Sequence, residues 1–241
     1  RGVEADGVSV GGNQNGIRTF YTSGLHIQGH PDYPQVISGN SNAGILFGPN
    51  GGYVWFSSAN HVYGNHIGTD VSGLLAVPNN VGIHSLGGAG NRIGNGVASN
   101  RNVIAGNTSA GVLLEGFMLV TPSAFNNQVY GNYIGLGADG MTPLPNSVGV
   151  QVLNGRENLI GGSVPGRGNR FGVSDYYHVY LNATYNGLCY SNSVQGNWMG
   201  ISTGNTVLAG GQTGIYILSA SNNLIGGVTS TARNVIGGVG T

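Results

Sequence analysis

The segment Ser174–His178 holds the residues best suited to proton-transfer chemistry. Asp175, Tyr176 and His178 supply a carboxylate, a phenol and an imidazole, the groups used in general acid–base catalysis. The same residue types also fit a turn followed by a strand edge, and a motif without site geometry is a weak argument for catalysis. The sequence therefore names these three residues as catalytic candidates but favours a structural role for them.

The other acidic side chains indicate turns and surface charge rather than a catalytic pair. Asp70 and Asp139 lie in TDVSG and ADG, where Asp beside Gly is typical of a tight turn and less so of a calcium site. Glu115 has leucine at the equivalent positions of the neighbouring repeats, and Arg156 and Glu157 form a corner charge pair of small energetic value. Because no second carboxylate is predicted beside any of them, the sequence argues against an enzyme.

Metal and cofactor chemistry have little support. His61 and His66 are predicted to lie on either side of a corner and His84 on a different strand, so the spacing does not favour a shared ion. Cys189 is the single cysteine, which excludes an intramolecular disulfide, and GLCYSN places no base beside its thiol. We expect no metal site and no cofactor.

Composition narrows the possible partners. The 241 residues include 47 glycines, eight arginines and no lysine, and the formal net charge is zero. Nucleic acid or an anionic membrane face would normally require a charged surface, so neither is expected as a partner. No apolar run reaches the ~18 to 20 residues of a membrane helix, and membrane insertion is not predicted.

Internal repetition predicts how the chain is organised. GNHIG at Gly64 recurs as GNYIG at Gly131 and GNWMG at Gly196, at offsets of 67 and 65 residues, and RNVIA, GNRFG and RNVIG recur in the same register. Each unit contains two coils, and each coil contains three short β-branched strands separated by Gly and Asn. The predicted first strands of the coils start at Gly16, Gly44, Gly82, Gly111, Gly149, His178 and Gly214.

Strand alternation predicts the inward face. The residue after each start forms an inward column, namely Ile17, Ile45, Ile83, Val112, Val150, Val179 and Ile215. Asparagine is expected at the corners because it tolerates left-handed backbone and can hydrogen-bond its own turn.

Two outward columns are candidates for ligand binding. The first is unusually rich in large apolar residues and includes Tyr180 and Tyr216. The loops GPNGGYVWFSS and FMLVTPSAF, a partner protein or a glycan are the alternatives for what covers it. The second column carries His66, Tyr133 and Trp198 on alternate coils, ~9.6 Å apart if strands stack at ~4.8 Å. Such rings either stack on the sugars of a polysaccharide or cap the corner against loops.

The phrases GNHIGTDVSGLLAVPN, RNVIAGN and NLIGG resemble the right-handed parallel β-helix repeats of large secreted and cell-surface bacterial proteins, in the pectate-lyase-like superfold. This resemblance implies an all-β, right-handed, single-stranded parallel β-helix of about seven coils, two per 65–67-residue repeat. We expect a single domain over residues 1–241, cut from a longer protein because GVEADGVSV is already strand-like and NVIGGVGT stops within a coil.

The functional expectation is a non-catalytic module at the cell surface or outside the cell, such as a segment of an adhesin or surface fibre. Its partners would be other protein chains, copies of itself or a polysaccharide. The alternative is a carbohydrate-active β-helix that binds or cleaves a polysaccharide, either as a lyase, a hydrolase or a tailspike-like protein. In that case Asp175, Tyr176 and His178 would form its site.

Overall fold

The chain folds into three parallel β-sheets that wind around one apolar interior. The structure is a computed structural model, and it describes residues 12–48, 56–117, 124–184 and 188–238. Each sheet has seven strands, and consecutive strands of the chain pass from the first sheet to the second and then to the third. This is the arrangement of a parallel β-helix or prism-like solenoid, and we call one passage through the three sheets a coil.

The strands are short, as the frequent glycines predict. The first sheet contains β1 (Asn15–Thr19), β4 (Ala43–Phe47), β7 (Val81–Leu86), β10 (Ala110–Glu115), β13 (Asn146–Leu153), β16 (Ser174–Asn182) and β19 (Thr213–Leu218). The second contains β2 (His26–Gln28), β5 (His61–Tyr63), β8 (Arg92–Ile93), β11 (Gln128–Val129), β14 (Leu159–Gly161), β17 (Ser193–Gln195) and β20 (Leu224–Ile225). The third contains β3 (Gln35–Ile37), β6 (Asn65–Ile67), β9 (Val103–Ile104), β12 (Tyr133–Ile134), β15 (Arg170–Phe171), β18 (Trp198–Met199) and β21 (Val235–Ile236).

Helical structure is confined, in the described part of the chain, to two single-turn 3₁₀ helices, Ala98–Asn100 and Ser230–Ala232. No helix there is long and apolar enough to span a membrane.

The apolar interior is built from columns of equivalent residues. The predicted inward column from Ile17 to Ile215 is confirmed, because its members pair in register along the first sheet and belong to the apolar core or pack against it. The second sheet contributes Val62, Val129 and Val194, and the third contributes Ile67, Ile134 and Met199, all of them fully buried. Burial of such side chains stabilises the fold by roughly 1.5–3 kcal/mol each before the conformational entropy is subtracted.

Asparagines form three buried ladders, one at each corner. The first ladder contains Asn40, Asn79, Asn107 and Asn146; the second contains Asn60, Asn91, Asn127, Asn158, Asn192 and Asn223; the third contains Asn65, Asn102, Asn132, Asn169, Asn197 and Asn234. In the first ladder, the Asn40 Nδ2 donates to the Asn79 Oδ1 at 2.8 Å, and the Asn79 Nδ2 donates to the Asn107 Oδ1 at 3.0 Å. Each coil is thereby bonded through its interior to the coil above it.

The ladders correct the expected role of asparagine. The left-handed position is usually the residue just before the ladder member, such as Ala59, Gly64 or Glu157, and its type varies. Four described asparagines do take the predicted left-handed conformation, namely Asn126, Asn154, Asn205 and Asn222, and two of them, Asn126 and Asn222, precede a ladder residue. The recurring Asn is therefore explained mainly by hydrogen bonding between coils, because a buried carboxamide must have partners for its donors and acceptor.

Four glycines near the starts of first-sheet strands lie against the first asparagine ladder, namely Gly16, Gly44, Gly82 and Gly111. A Cβ on Gly44 would lie 3.0 Å from the Asn79 Nδ2 and 2.7 Å from the Gly82 carbonyl oxygen. A Cβ on Gly111 would lie 3.0 Å from the Asn146 Nδ2 and 2.8 Å from the Gly149 carbonyl oxygen. The G-[IV] motif is therefore a packing requirement of the corner.

The outer face of the first sheet carries a second apolar cluster. It consists of Ala43, Leu46, Val81 and Ala110, with Leu113 and Val148 packed against them. The predicted outward column is confirmed in register, and it passes through Leu46, Leu113, Tyr180 and Tyr216. The two loops expected to cover this face lie largely outside the described residues, as does the strand-like segment GVEADGVSV.

Candidate binding cleft

The outward column of the third sheet places a ring on alternate strands. His66 pairs with Val103, Val103 with Tyr133, Tyr133 with Arg170, and Arg170 with Trp198. At ~4.8 Å per strand, His66, Tyr133 and Trp198 are therefore ~9.6 Å apart, as the sequence predicts.

Arginines cover the faces of two of these rings. The guanidinium carbon of Arg101 lies 4.1 Å from the centroid of the Tyr133 ring, and that of Arg170 lies 4.6 Å from the Trp198 ring. Arg101 Nε also donates to the Ala98 carbonyl oxygen at 2.8 Å, and Arg170 Nη1 donates to the Ser202 carbonyl oxygen at 2.7 Å. Cation–π contact and these hydrogen bonds hold both guanidinium groups in place.

Two adjoining cavities, of about 330 and 340 Å³, follow this column and share Ala98 and Arg101. The first is lined by Arg101, Arg170, Arg233 and Trp198, together with loop backbone and the hydroxyl residues Ser230 and Thr231. No carboxylate or imidazole lines this first cavity in the described part of the chain. The second is lined by the rings of His30, His66 and Tyr133 and by two prolines. We call the two cavities together the cleft.

The cleft has a concentrated positive charge. Burial lowers the pKa of Arg170, the nearby charge of Arg101 lowers it further, and Tyr133 opposes both effects. An arginine stays protonated under such a shift, so both groups remain cationic. The ion pairs of the described residues involve His30, His84 and Arg156, and thus none of the three cleft arginines has a carboxylate partner among those residues.

A row of turns lies along the cleft. Their antiparallel bridges join Thr69 to Ala76, Leu136 to Pro143, and Ile201 to Val207. Successive turns are hydrogen-bonded, since the Ala138 N–H donates to the Gly73 oxygen and the Thr203 N–H donates to the Gly140 oxygen, both at 3.0 Å. The row brings Gly73 against the ring of His66 and Gly140 against the hydroxyl of Tyr133.

Asp70 and Asp139 are the turn residues that the sequence predicts. The Asp70 carboxylate accepts hydrogen bonds from the Ser72 hydroxyl and from the backbone N–H groups of Leu74 and Leu75. Burial raises the pKa of Asp70, but these bonds outweigh it and hold the pKa below its ordinary value. Asp139 accepts from Met141 and Thr142 in the same way. Neither carboxylate is left free for catalysis.

The structure does not bring Asp175, Tyr176 and His178 together. His178 is fully buried inside the solenoid, where its Nδ1 lies 3.2 Å from the Ser174 Oγ, its Nε2 has no hydrogen-bond partner among the described residues and its ring packs on Phe171. Asp175 is exposed and accepts from the Ser147 hydroxyl at 3.2 Å, and Tyr176 is 49% exposed. Burial lowers the pKa of His178 to about 4, so the imidazole is neutral.

Tyr180 and Tyr216 lie away from the cleft, on the outer face of the first sheet. Their ring centroids are 5.3 Å apart, and both pack on Tyr177, which stacks on Tyr216 at 4.8 Å. The five predicted ligand-binding residues therefore fall on two surfaces, with His66, Tyr133 and Trp198 on one and the two tyrosines on the other.

The arginines of the cleft are not predicted from the sequence. Arg101, Arg170 and Arg233 stand in RNVIA, GNRFG and RNVIG, phrases that indicated the repeat and not a site. Their recurrence beside every second asparagine of the third ladder could have revealed them. The pair between the His84 Nε2 and the Glu115 Oε2, 2.8 Å apart, is not predicted either, because these residues lie diagonally rather than in register.

The remaining thiol and imidazoles form no reactive centre. Cys189 is buried, and burial raises the pKa of its thiol to about 11, although hydrogen bonds from its surroundings partly oppose the shift. Within the described ranges, no group of three His, Cys, Asp or Glu side chains could hold a metal ion. Comparison of the chain with protein-family models, with curated proteins and with solved structures found no match in any of the three. The evidence on function is therefore the solenoid and its cleft, which is lined by arginines and aromatic rings.

Proposed function

We propose that this chain is a non-catalytic interaction module of a cell-surface or extracellular protein, such as a segment of an adhesin or surface fibre. The observation that carries the proposal is the lining of the first cavity, where the described residues offer guanidinium groups, an indole and hydroxyls but no carboxylate or imidazole. A site of this composition can bind and orient a ligand, but it lacks the usual side chains for transferring a proton at neutral pH. In the part of the chain that the structure describes, no carboxylate or imidazole lines this cavity beside the hydroxyl groups to activate them.

The architecture that goes with this function is a right-handed, single-stranded β-helix of seven coils. Crossovers between parallel strands of one sheet are right-handed in ~98% of known cases, which supports that hand here. Seven strands in each sheet support the number of coils. In this proposal residues 1–241 form a single domain within a longer protein, and its partners are other chains, further copies of itself or a polysaccharide.

The test separates binding from turnover. The protein is incubated with a panel of uronate and neutral polysaccharides, while new reducing ends and unsaturated products are measured and binding is followed by affinity electrophoresis. We expect retardation by at least one polysaccharide and no product from any. Product formation that is lost on Asp175→Ala or His178→Ala would reject the proposal and establish the carbohydrate-active alternative.

A further inference from the structure

We propose that the cleft binds an anionic polysaccharide that runs along the solenoid axis, with Arg101, Arg170 and Arg233 each holding an anionic group. This rests on the proposed function as a binding module and names the class of ligand. The observation behind it is that three arginines line one cavity with no carboxylate among the described residues that line it.

The charge of the cavity is unbalanced even though the chain is neutral overall. The formal net charge is zero, but Asp70 and Asp139, in the row of turns along the cleft, are bonded within their own turns, and Asp32 pairs with His30. Like charges that converge in a partly desolvated site repel one another, and a bound anion removes that repulsion. Guanidinium groups bind carboxylate and sulfate in a two-point geometry, which makes arginine well suited to the task.

The rings of the cleft position the arginines rather than the ligand. Because Arg101 covers a face of Tyr133 and Arg170 a face of Trp198, those faces are not available to stack on a neutral sugar. The same contacts oppose a single-stranded nucleic acid, which would need open aromatic faces for its bases. What the cleft presents to a ligand is therefore charge.

The spacing of the arginines indicates a repeating ligand. Arg101, Arg170 and Arg233 are adjacent in sequence to Asn102, Asn169 and Asn234, which are every second member of the third asparagine ladder. Arg101 and Arg233 precede their ladder residues, whereas Arg170 follows Asn169 and lies in the column of Tyr133 and Trp198. Counted along the solenoid axis alone, at ~4.8 Å per coil, the three arginines recur every two coils, or ~9.6 Å. That interval is about the length of two linked sugar rings, so a polymer with one anionic group in each disaccharide would meet successive arginines.

The experiment uses hyaluronan oligosaccharides, which carry one carboxylate per disaccharide, and neutral dextran of matched length. Binding is measured by calorimetry at low and at high salt. We expect hyaluronan to bind and dextran not to bind, with an affinity that falls as salt rises. Arg233→Gln changes an exposed side chain and should weaken hyaluronan binding roughly tenfold, the effect of losing one charged hydrogen bond. Arg170→Gln should do the same or more.

Arg92→Gln is the matched control, because Arg92 is an exposed arginine on the second sheet, away from the cleft. It should bind hyaluronan as the unmodified protein does, and its melting temperature and that of Arg233→Gln should be unchanged. Equal binding of dextran, equal affinity of the Arg233→Gln variant, or tighter binding of an oligodeoxythymidylate would each overturn the proposal. These results concern the ligand, whereas product formation would reject the non-catalytic function itself, so the two failures are distinguishable.

Discussion

Asn79 and Asn80 are adjacent and identical in type, but only Asn79 is buried. The Asn79 Oδ1 accepts from the backbone and side chain of Asn40, and its Nδ2 donates to the Ile37 carbonyl oxygen and to Asn107. The side chain of Asn80 is exposed at the surface. The pair therefore offers a direct measure of what a ladder residue contributes.

Asn79→Ala should lower the free energy of unfolding by about 2–3 kcal/mol, because it leaves buried donors and acceptors unpaired. Asn80→Ala should change it by less than about 0.5 kcal/mol, as is usual at the surface. Urea denaturation followed by circular dichroism measures both. Equal losses in the two variants would mean that the ladder bonds do not stabilise the fold.

His178 makes the stability of the protein depend on pH. The ordinary pKa of a histidine, 6.5, applies to His178 in the unfolded chain, and burial in the folded chain lowers this pKa to about 4. Above pH 6.5 the imidazole is neutral in both states, and between pH 6.5 and 4 the unfolded chain takes up a proton that the folded chain does not. The free energy of unfolding should therefore fall as the pH drops through this window, by roughly 3 kcal/mol in all.

The measurement compares the pH dependence of the melting temperature with that of His178→Gln, which is polar but does not titrate. The variant should lose less stability than the original protein between pH 6.5 and 4. Contributions from Asp70 and Asp139 are common to both proteins and cancel in the comparison. Parallel curves would show that His178 is not the titrating group.

At the scale of the strand, Gly16, Gly44, Gly82 and Gly111 each lie against a member of the first asparagine ladder. Gly111→Ala would place a Cβ 2.8 Å from the Gly149 oxygen and should destabilise the protein by about 1–3 kcal/mol through overpacking. Gly204→Ala is the control, since its Cβ would meet nothing closer than the Ser202 Oγ at 3.7 Å. The melting temperatures of the two variants are compared by thermal unfolding. Equal stability of Gly111→Ala and Gly204→Ala would contradict the predicted overpacking.

The strands and their inward columns could be predicted because they depend on local alternation that the repeat presents seven times. Ile17 and Ile45 occupy equivalent positions of successive coils, so they align in the repeat and also pair between neighbouring strands. The burial of His178 could not be predicted in this way, because it depends on the first ladder ending at Asn146, whose partner in the next coil is Ser174. There Ser174 and His178 occupy the interior in place of another asparagine.

The cleft was only half predictable. The rings of His66, Tyr133 and Trp198 stood out because aromatic residues at a regular interval suggest sugar binding. The arginines did not, because a net charge of zero for the whole chain conceals where the charges gather. The fold is needed to show that Arg101 and Arg170 line the same cavity. It also shows that the Asp139 carboxylate accepts a hydrogen bond from Thr142 within its own turn.

At the scale of residues 1–241 as a whole, the apolar columns are exposed in the last coil that the structure describes. Ile217, Ile225 and Ile236 continue the columns of Leu181, Val194 and Met199, and each is more than 40% exposed. An apolar surface of this kind promotes association. Light scattering over a concentration series should therefore give a mass that rises with concentration.

Ile225→Lys should reduce that rise, because it places a charge in the apolar surface. Val71→Lys is the control, since Val71 is similarly exposed but lies in a turn of the row along the cleft. A mass that does not depend on concentration in the original protein would contradict the prediction.

The side-chain dipoles of the asparagine ladders point the same way along the solenoid axis. In almost every rung a carboxamide nitrogen faces the following coil and an oxygen faces the preceding one, whereas strand dipoles largely cancel. The carboxamide dipoles therefore add along the axis, and the two ends of the ladders differ in chemistry. Among the described residues, the side-chain oxygens of Asn40 and Asn65 and the side-chain nitrogen of Asn223 have no hydrogen-bond partner. A ladder extended towards the first coil would therefore need a hydrogen-bond donor against its terminal oxygen, and one extended towards the last coil would need an acceptor against its terminal nitrogen.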